Sequence, residues 1–200
     1  MIAGLLLAAG ASRRFGTNKL LERLGDHPVV RWPAEVLADE VDELLVVVAG
    51  DTAEMRDALA GIPVRFVVNR EPDAGLSSSI RAGVAALPAD TEAVVIALGD
   101  QPLLARDAVT RVIARWREGD ASAVAASYSD GRGHPVVFGA ELFPALRTLE
   151  GDRGARVLLD GLADGLKTVA MDGVQPIDVD TRDALAEVSA LVERRANEMP

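Results

Sequence analysis

Residues 2–10, Ile2-Ala3-Gly4-Leu5-Leu6-Leu7-Ala8-Ala9-Gly10, decide the fold. An apolar run without polar alternation describes a parallel β-strand covered on both faces. The small residues at its end let the chain turn out of the sheet, into Ala11-Ser12-Arg13-Arg14-Phe15-Gly16-Thr17-Asn18-Lys19. A signal peptide would need a positive leading region. None is present, and the apolar run continues into an arginine-bearing turn, so a buried first strand is the better account.

Working outward, similar runs recur at about 44–49, 64–68, 93–98, 122–127, 135–138 and 167–170. Helical candidates lie between and after them, at about 28–40, 52–60, 78–87, 105–118, 141–149, 154–163 and 181–197. Pro33 is expected to start or kink the first. The last carries Leu185, Val188, Leu191 and Val192 on one face. Strands alternating with helices predict an α/β fold, with a Rossmann-like, doubly wound and mostly parallel sheet. Beyond residue 120 the strands shorten and the loops gain Gly and Asp. A second half built against the same sheet fits this better than a separate domain, so one domain is expected over 1–200.

Two hundred residues suffice for a full core. Twenty-one basic against 31 acidic residues leave a net charge of −10, which disfavours nonspecific nucleic-acid binding. A small anionic substrate needs only a local positive cluster in a cleft. The absence of cysteine excludes disulfides, thiolate catalysis and Cys-ligated metals, and agrees with a cytoplasmic protein. No run approaches the ~18 apolar residues of a membrane span.

Four segments carry residues suited to chemistry. After the first strand, Gly10 and its small neighbours allow backbone N–H groups close to an anion or a base, beside Arg13, Arg14 and Lys19. Five residues separate Gly10 from Gly16, so this is not a P-loop, and no G-x-G-x-x-G dinucleotide fingerprint is present. An ordinary βα turn with solvated arginines accounts for the same residues about equally well. Second, Leu98-Gly99-Asp100-Gln101-Pro102 puts a carboxylate where a buried strand emerges, the edge at which open α/β sheets bind ligands. Asp100 suits Mg²⁺, which takes oxygen ligands; a strand-end turn Asp bonding its own backbone is the competing account.

Third, Gly75-Leu76-Ser77-Ser78-Ser79 opens a helix with more hydroxyls than one cap requires. Fourth, Asp178-Val179-Asp180-Thr181 leads into the last helix. In an extended strand, alternation places Asp178 and Asp180 on one side, and either can join Asp100 at a metal. Acidic charge at a helix N-terminus explains them as well. Two patches remain: Arg132-Gly133-His134-Pro135-Val136, and Gly151-Asp152-Arg153-Gly154-Ala155-Arg156. His134 is expected to have a structural or substrate-positioning role, and His27 to be part of a loop.

Taken in this order, the segments LAAGASRRFG-TNK, N-x5-GLSSSIRAG (from Asn69), GDQP, RGHPV, GDRGAR and DVDT-x-D resemble the molybdenum cofactor nucleotidyltransferase family over nearly the whole chain. Within it they resemble the cytidylyltransferase branch, since guanylyltransferase relatives usually read Leu-Ala-Gly-Gly where this chain has Leu7-Ala8-Ala9-Gly10. The resemblance implies a nucleotide-diphospho-sugar transferase (GT-A-like) fold, with nucleotide bound by the N-terminal half and acceptor by the C-terminal half. It implies CTP as donor and the molybdenum-pterin cofactor as acceptor, with a molybdoenzyme or its chaperone as a possible recipient of the product. Leu7, Ala8, Ala9, Gly10 and Ser77, Ser78, Ser79 would hold base and ribose. Arg14 and Lys19 would bind the triphosphate, and Asp100 would hold Mg²⁺ with Asp180, Asp178 being the alternative. Arg14, Lys19 and Asp100 are the implied catalytic set, and His134, Arg153 and Arg156 would face the acceptor. Phe15 and Gln101 stand where relatives often carry Met.

The alternatives are GTP as donor, another phosphorylated acceptor, an NAD(P)-dependent oxidoreductase on the same scaffold, or a cofactor-binding chaperone without turnover.

Overall fold

The computed structural model describes residues 1–10, 15–50, 52–151 and 154–198. In chain order the strands are β1 (Ile2–Ala8), β2 (Arg23–Leu24), β3 (His27–Pro28), β4 (Glu43–Ala49), β5 (Val64–Asn69), β6 (Ala93–Leu98), β7 (Ala123–Tyr128), β8 (Gly131–Gly139) and β9 (Leu166–Ala170). The helices are α1 (Arg31–Ala38), α2 (Ala53–Ala58), α3 (Leu76–Ala85), α4 (Arg106–Trp116), α5 (Phe143–Leu146), α6 (Arg156–Gly161) and α7 (Arg182–Glu198). Seven strands form one sheet in the order β5-β4-β1-β6-β8-β7-β9, while β2 and β3 form a separate antiparallel ribbon. Within the large sheet only β8 runs against its neighbours. The second half of the chain therefore extends the sheet begun by the first.

The apolar runs are continuous because both faces are covered. Ile2, Leu6 and Ala8 of β1 join a core with Leu37 of α1, Met55 of α2, Val112 of α4 and Val188 of α7. Ala3, Leu5 and Leu7 point the other way, toward Ile80 and Val84 of α3, Phe143 of α5 and Leu159 of α6. Gly83 lets α3 lie hard on β1: a Cβ there would stand 2.2 Å from Leu5 Cδ1. Leu5 is itself fully buried, and truncating such a side chain costs about 2–5 kcal/mol.

From β1 the chain passes through α1 to β4 on one side, and β6 later adds on the other. The carboxyl ends of β1 and β6 thus flank the topological switch point, where ligands bind in such sheets.

Local differences from expectation have simple causes. The turn at Gly25 (φ +60°) folds Arg23–Leu24 back on His27–Pro28, so α1 begins at Arg31 rather than 28. His27 lies in that ribbon and meets Trp32 edge to face. Pro33 falls in the first turn of α1, where a missing N–H is tolerated. β8 starts at Gly131 and pairs with β7 as a hairpin, with a register shift between Ala125 and Ala126. The 141–149 segment holds a 3₁₀ turn followed by a helix of only 4 residues. Among the described residues no helix is long and apolar enough to cross a membrane.

Candidate active site

The site grows from the ends of β1 and β6. Beyond the last paired residues, the Gly99 N–H donates to Leu7 O at 2.9 Å and carries the ladder one step further. A Cβ on Gly99 would lie 3.1 Å from that carbonyl, so glycine permits the close approach. Asp100 consequently emerges beside Ala9 and Gly10. On the facing side the Asn18 side chain accepts from Leu20 N–H at 3.2 Å and caps the 3₁₀ turn Lys19–Leu21. That turn directs Lys19 inward, leaving it 6% exposed.

Lys19 Nζ donates to Asp100 Oδ2 at 2.5 Å and to Asp180 Oδ1 at 2.6 Å. Three segments far apart in sequence meet at this nitrogen. Asp180 is held there because the Val179 N–H donates to Asp100 O at 2.9 Å, while the Val179 side chain is fully buried. Thr181 Oγ1 then accepts from Ala184 N–H and caps α7.

The expected alternation of Asp178 and Asp180 does not hold. Asp180 N–H donates to Asp178 O at 2.9 Å, a tight turn rather than an extended strand, and the two carboxylates diverge. Asp178 Oδ1 accepts from Gln101 Nε2 at 2.8 Å. Among the described residues it is Asp180 that shares Lys19 with Asp100.

Burial by itself would lower the pKa of Lys19, but the charges and hydrogen bonds of Asp100 and Asp180 outweigh it and hold the pKa above the usual lysine value. Lys19 is a firm cation here. For Asp178, burial and then the charges of Asp100 and Asp180 push the carboxyl upward, against the Gln101 hydrogen bond and Lys19.

Leu7, Ala9, Gly10, Lys19, Ser79 and Asp100 line a cavity of about 250 Å³, together with Pro72, Gly75 and Leu76. Gly75 has φ +83°, and this turn brings the start of α3 to the cavity. The three expected serines divide their duties. Asn69 Nδ2 donates to Ser78 Oγ at 2.8 Å and Ser79 Oγ at 3.1 Å, and Ser78 Oγ donates to Gly75 O. Ser79 reaches the cavity wall, Ser78 braces the turn, and Ser77 Oγ is buried without a hydrogen-bond partner among the described residues.

Next to this cavity, with Leu76 as a common wall, a hollow of about 110 Å³ is lined by apolar Ile80, Ile96 and Phe138 and rimmed by His134 and Arg156. Tyr128 Oη donates to His134 O at 2.9 Å. Burial lowers the His134 pKa to about 4, against an upward pull from Asp100, so its imidazole is neutral near pH 7. Arg14 and Arg153 lie outside the described residues.

The sequence marks Asn69 as the first residue of the serine motif without showing what it does, and it is silent on the Gln101–Asp178 pair and on Leu76 as a residue common to two cavities. Leu76 reads in sequence as one more apolar helix residue. Asn69 ends a strand ahead of a serine cluster, which was the available signal.

Among the described residues no group of three or more His, Cys, Asp and Glu side chains could hold a metal ion. The converging pair Asp100–Asp180 fits a hard cation that takes one or two carboxylates and completes its shell with phosphate oxygens and water.

A mostly parallel α/β sheet that gathers a buried lysine and two carboxylates near the carboxyl ends of β1 and β6 has its ligand-binding edge there. The chain belongs to the family described as the MobA-like NTP transferase domain, which matches residues 4–168. It is 38% identical over 166 residues to nicotine blue oxidoreductase of Paenarthrobacter nicotinovorans, covering 79% of this chain and 81% of that one. It is also 38% identical over 135 residues to a molybdenum cofactor guanylyltransferase of Cereibacter sphaeroides, covering 66% of this chain and 65% of that one. Among solved structures, Rv0371c of Mycobacterium tuberculosis superposes with a TM-score of 0.84 at 31% identity, covering 94% of this chain and 97% of that one. The same protein is known as a manganese complex, with a TM-score of 0.81 at 30% identity, covering 94% of this chain and 98% of that one.

Proposed function

We propose that this nucleotidyltransferase moves a cytidylyl group from CTP to the terminal phosphate of the molybdenum-pterin cofactor, with Mg²⁺. The observation that carries the reading is the meeting of Asp100 and Asp180 on Lys19, with Lys19 and Asp100 lining the 250 Å³ cavity. Base and ribose lie against Leu7–Gly10 and Ser79, and Arg14 and Lys19 take the triphosphate. The acceptor enters from the side of His134, Arg153 and Arg156.

An oxygen of the acceptor phosphate attacks the α-phosphorus in line. A new P–O bond forms, the bond to the bridging oxygen breaks, and pyrophosphate leaves with that electron pair. The attacking oxygen is already anionic, so no general base is needed. Repulsion between two polyanions opposes reaction, and preorganised positive charge is the remedy. Lys19 contributes such a charge, and Asp100 and Asp180 would hold Mg²⁺, which neutralises phosphate oxygens when bound. Neutral His134 positions the acceptor without adding charge.

The likeness to a guanylyltransferase keeps GTP as the second donor. The test is pyrophosphate release from each of the four NTPs with Mg²⁺ and molybdenum-loaded pterin. Release with CTP alone, lost in Asp100→Ala, supports the proposal; release with GTP alone replaces the donor. No release, together with a nicotinamide-dependent absorbance change, replaces the reaction class.

A further inference from the structure

We propose that Lys19 is the resident counter-cation of the Asp100–Asp180 pair, and that a divalent ion enters only as a nucleotide triphosphate draws the Lys19 ammonium away. The inference rests on the reading of Asp100 and Asp180 as the metal pair.

Its basis is geometric. One nitrogen stands 2.5 Å from Asp100 Oδ2 and 2.6 Å from Asp180 Oδ1, within the space a cation bridging those two oxygens would need. Magnesium binds oxygen at about 2.0–2.1 Å, so ammonium and metal cannot share that position. The Lys19 side chain is 8% exposed, which limits screening of its charge by water. A lysine ammonium is a compact charge on a flexible four-carbon stem, suited to moving between anionic partners. Its new partners would lie close at hand, because Lys19 also lines the cavity assigned to the nucleotide.

Two consequences follow. Without nucleotide, the lysine satisfies the carboxylates and repels a divalent ion, so metal alone binds weakly. With nucleotide, the phosphates take over the ammonium while the carboxylates become available to the metal. Metal and nucleotide then strengthen each other's binding by the same factor.

The experiment measures Mn²⁺ binding without nucleotide, by the electron paramagnetic resonance signal of the free ion. Wild-type protein, Lys19→Arg and Lys19→Met are compared, with wild type plus the α,β-methylene analogues of CTP and GTP as a further arm. The expected result is weak binding to wild type and Lys19→Arg, and at least tenfold tighter binding to Lys19→Met. Equal or weaker binding to Lys19→Met overturns the proposal while leaving the metal pair in place, provided the analogue arm binds Mn²⁺ and Asp100→Asn abolishes this. Absence of Mn²⁺ binding in every arm overturns both readings. Should Lys19→Met fail to fold, wild type labelled with ¹³C at lysine Cε decides the matter. The Lys19 signal should shift on adding Mg²⁺ with analogue, and saturation by Mg²⁺ and analogue with that signal unmoved overturns the proposal.

Discussion

The Arg182 guanidinium lies over the ring of Phe15, 5.1 Å from its centroid. Phe15 is buried and follows Arg13 and Arg14 in sequence, and Arg182 opens α7 two residues beyond Asp180. Glu22 strengthens the junction by accepting from Thr17 Oγ1 at 2.5 Å and standing 4.0 Å from Arg182. The contact ties Phe15 to the helix that follows the carboxylate segment. An exposed cation–π contact is worth about 0.5–1 kcal/mol. Arg182→Ala should therefore raise the nucleotide KM by about two- to fivefold, with little change in kcat, and Arg182→Lys should recover part of the loss. Steady-state kinetics with varied nucleotide checks the split; a fall in kcat at unchanged KM argues against it.

Parts of this arrangement are legible in the sequence because they follow from buried strands. Leu7-Ala8-Ala9-Gly10 and Leu98-Gly99-Asp100 each announce where an apolar run leaves the sheet, and a parallel sheet sets such ends side by side. Lys19 and Asp100, read from separate motifs, meet for that reason. Asp178 and Asp180 were not separable, since the tight turn between them depends on Val179 bonding to Asp100, a contact 79 residues away in the chain. The register of Leu76 against two cavities and the placing of Arg182 over Phe15 likewise arise from tertiary packing, on which local periodicity is silent.

The divergence of the two aspartates makes them distinguishable by experiment. Asp180→Ala should raise the Mg²⁺ concentration needed for half-maximal activity by tenfold or more, because it removes one of two carboxylates. Asp178→Ala should change that requirement far less. It should instead cost about 1–3 kcal/mol of stability by leaving the buried Gln101 amide without its 2.8 Å acceptor. Metal titrations and urea unfolding of both variants provide the comparison; a larger metal effect from Asp178→Ala would reverse the assignment.

Asn69 uses its whole amide to hold the serine turn. Its Nδ2 donates to Ser78 and Ser79, and its Oδ1 accepts from Glu71 N–H at 2.9 Å. All this takes place in a buried setting, where orphaned polar groups are costly. Asn69→Ala should destabilise the protein by about 2 kcal/mol and weaken nucleotide binding through Ser79. Asn69→Asp keeps the acceptor for Glu71 but loses both amide donors, so it should fall between wild type and alanine in binding. Urea midpoints and nucleotide titrations test this, and an Asn69→Ala protein with unchanged nucleotide affinity would separate the turn from the site.

His134 gives the protein a pH-dependent weakness with a definite sign. Its pKa falls from 6.5 to about 4 in the fold because burial disfavours the imidazolium, despite the opposing charge of Asp100. Between these values the unfolded chain binds a proton that the folded chain does not. Acidification therefore favours unfolding: the stability associated with neutral His134 is intact above pH 6.5, drains away as pH falls to about 4, and changes no further below that. The slope in this window is at most ~1.4 kcal/mol per pH unit for one proton. His134→Gln, which cannot titrate, should flatten the decline over the same range while remaining somewhat less stable near pH 7. Chemical denaturation of both proteins at intervals from pH 4 to 7.5 measures the difference between the two curves. Parallel curves would mean that His134 is protonated as readily in the fold as outside it, and would remove the neutral imidazole from the acceptor side of the site.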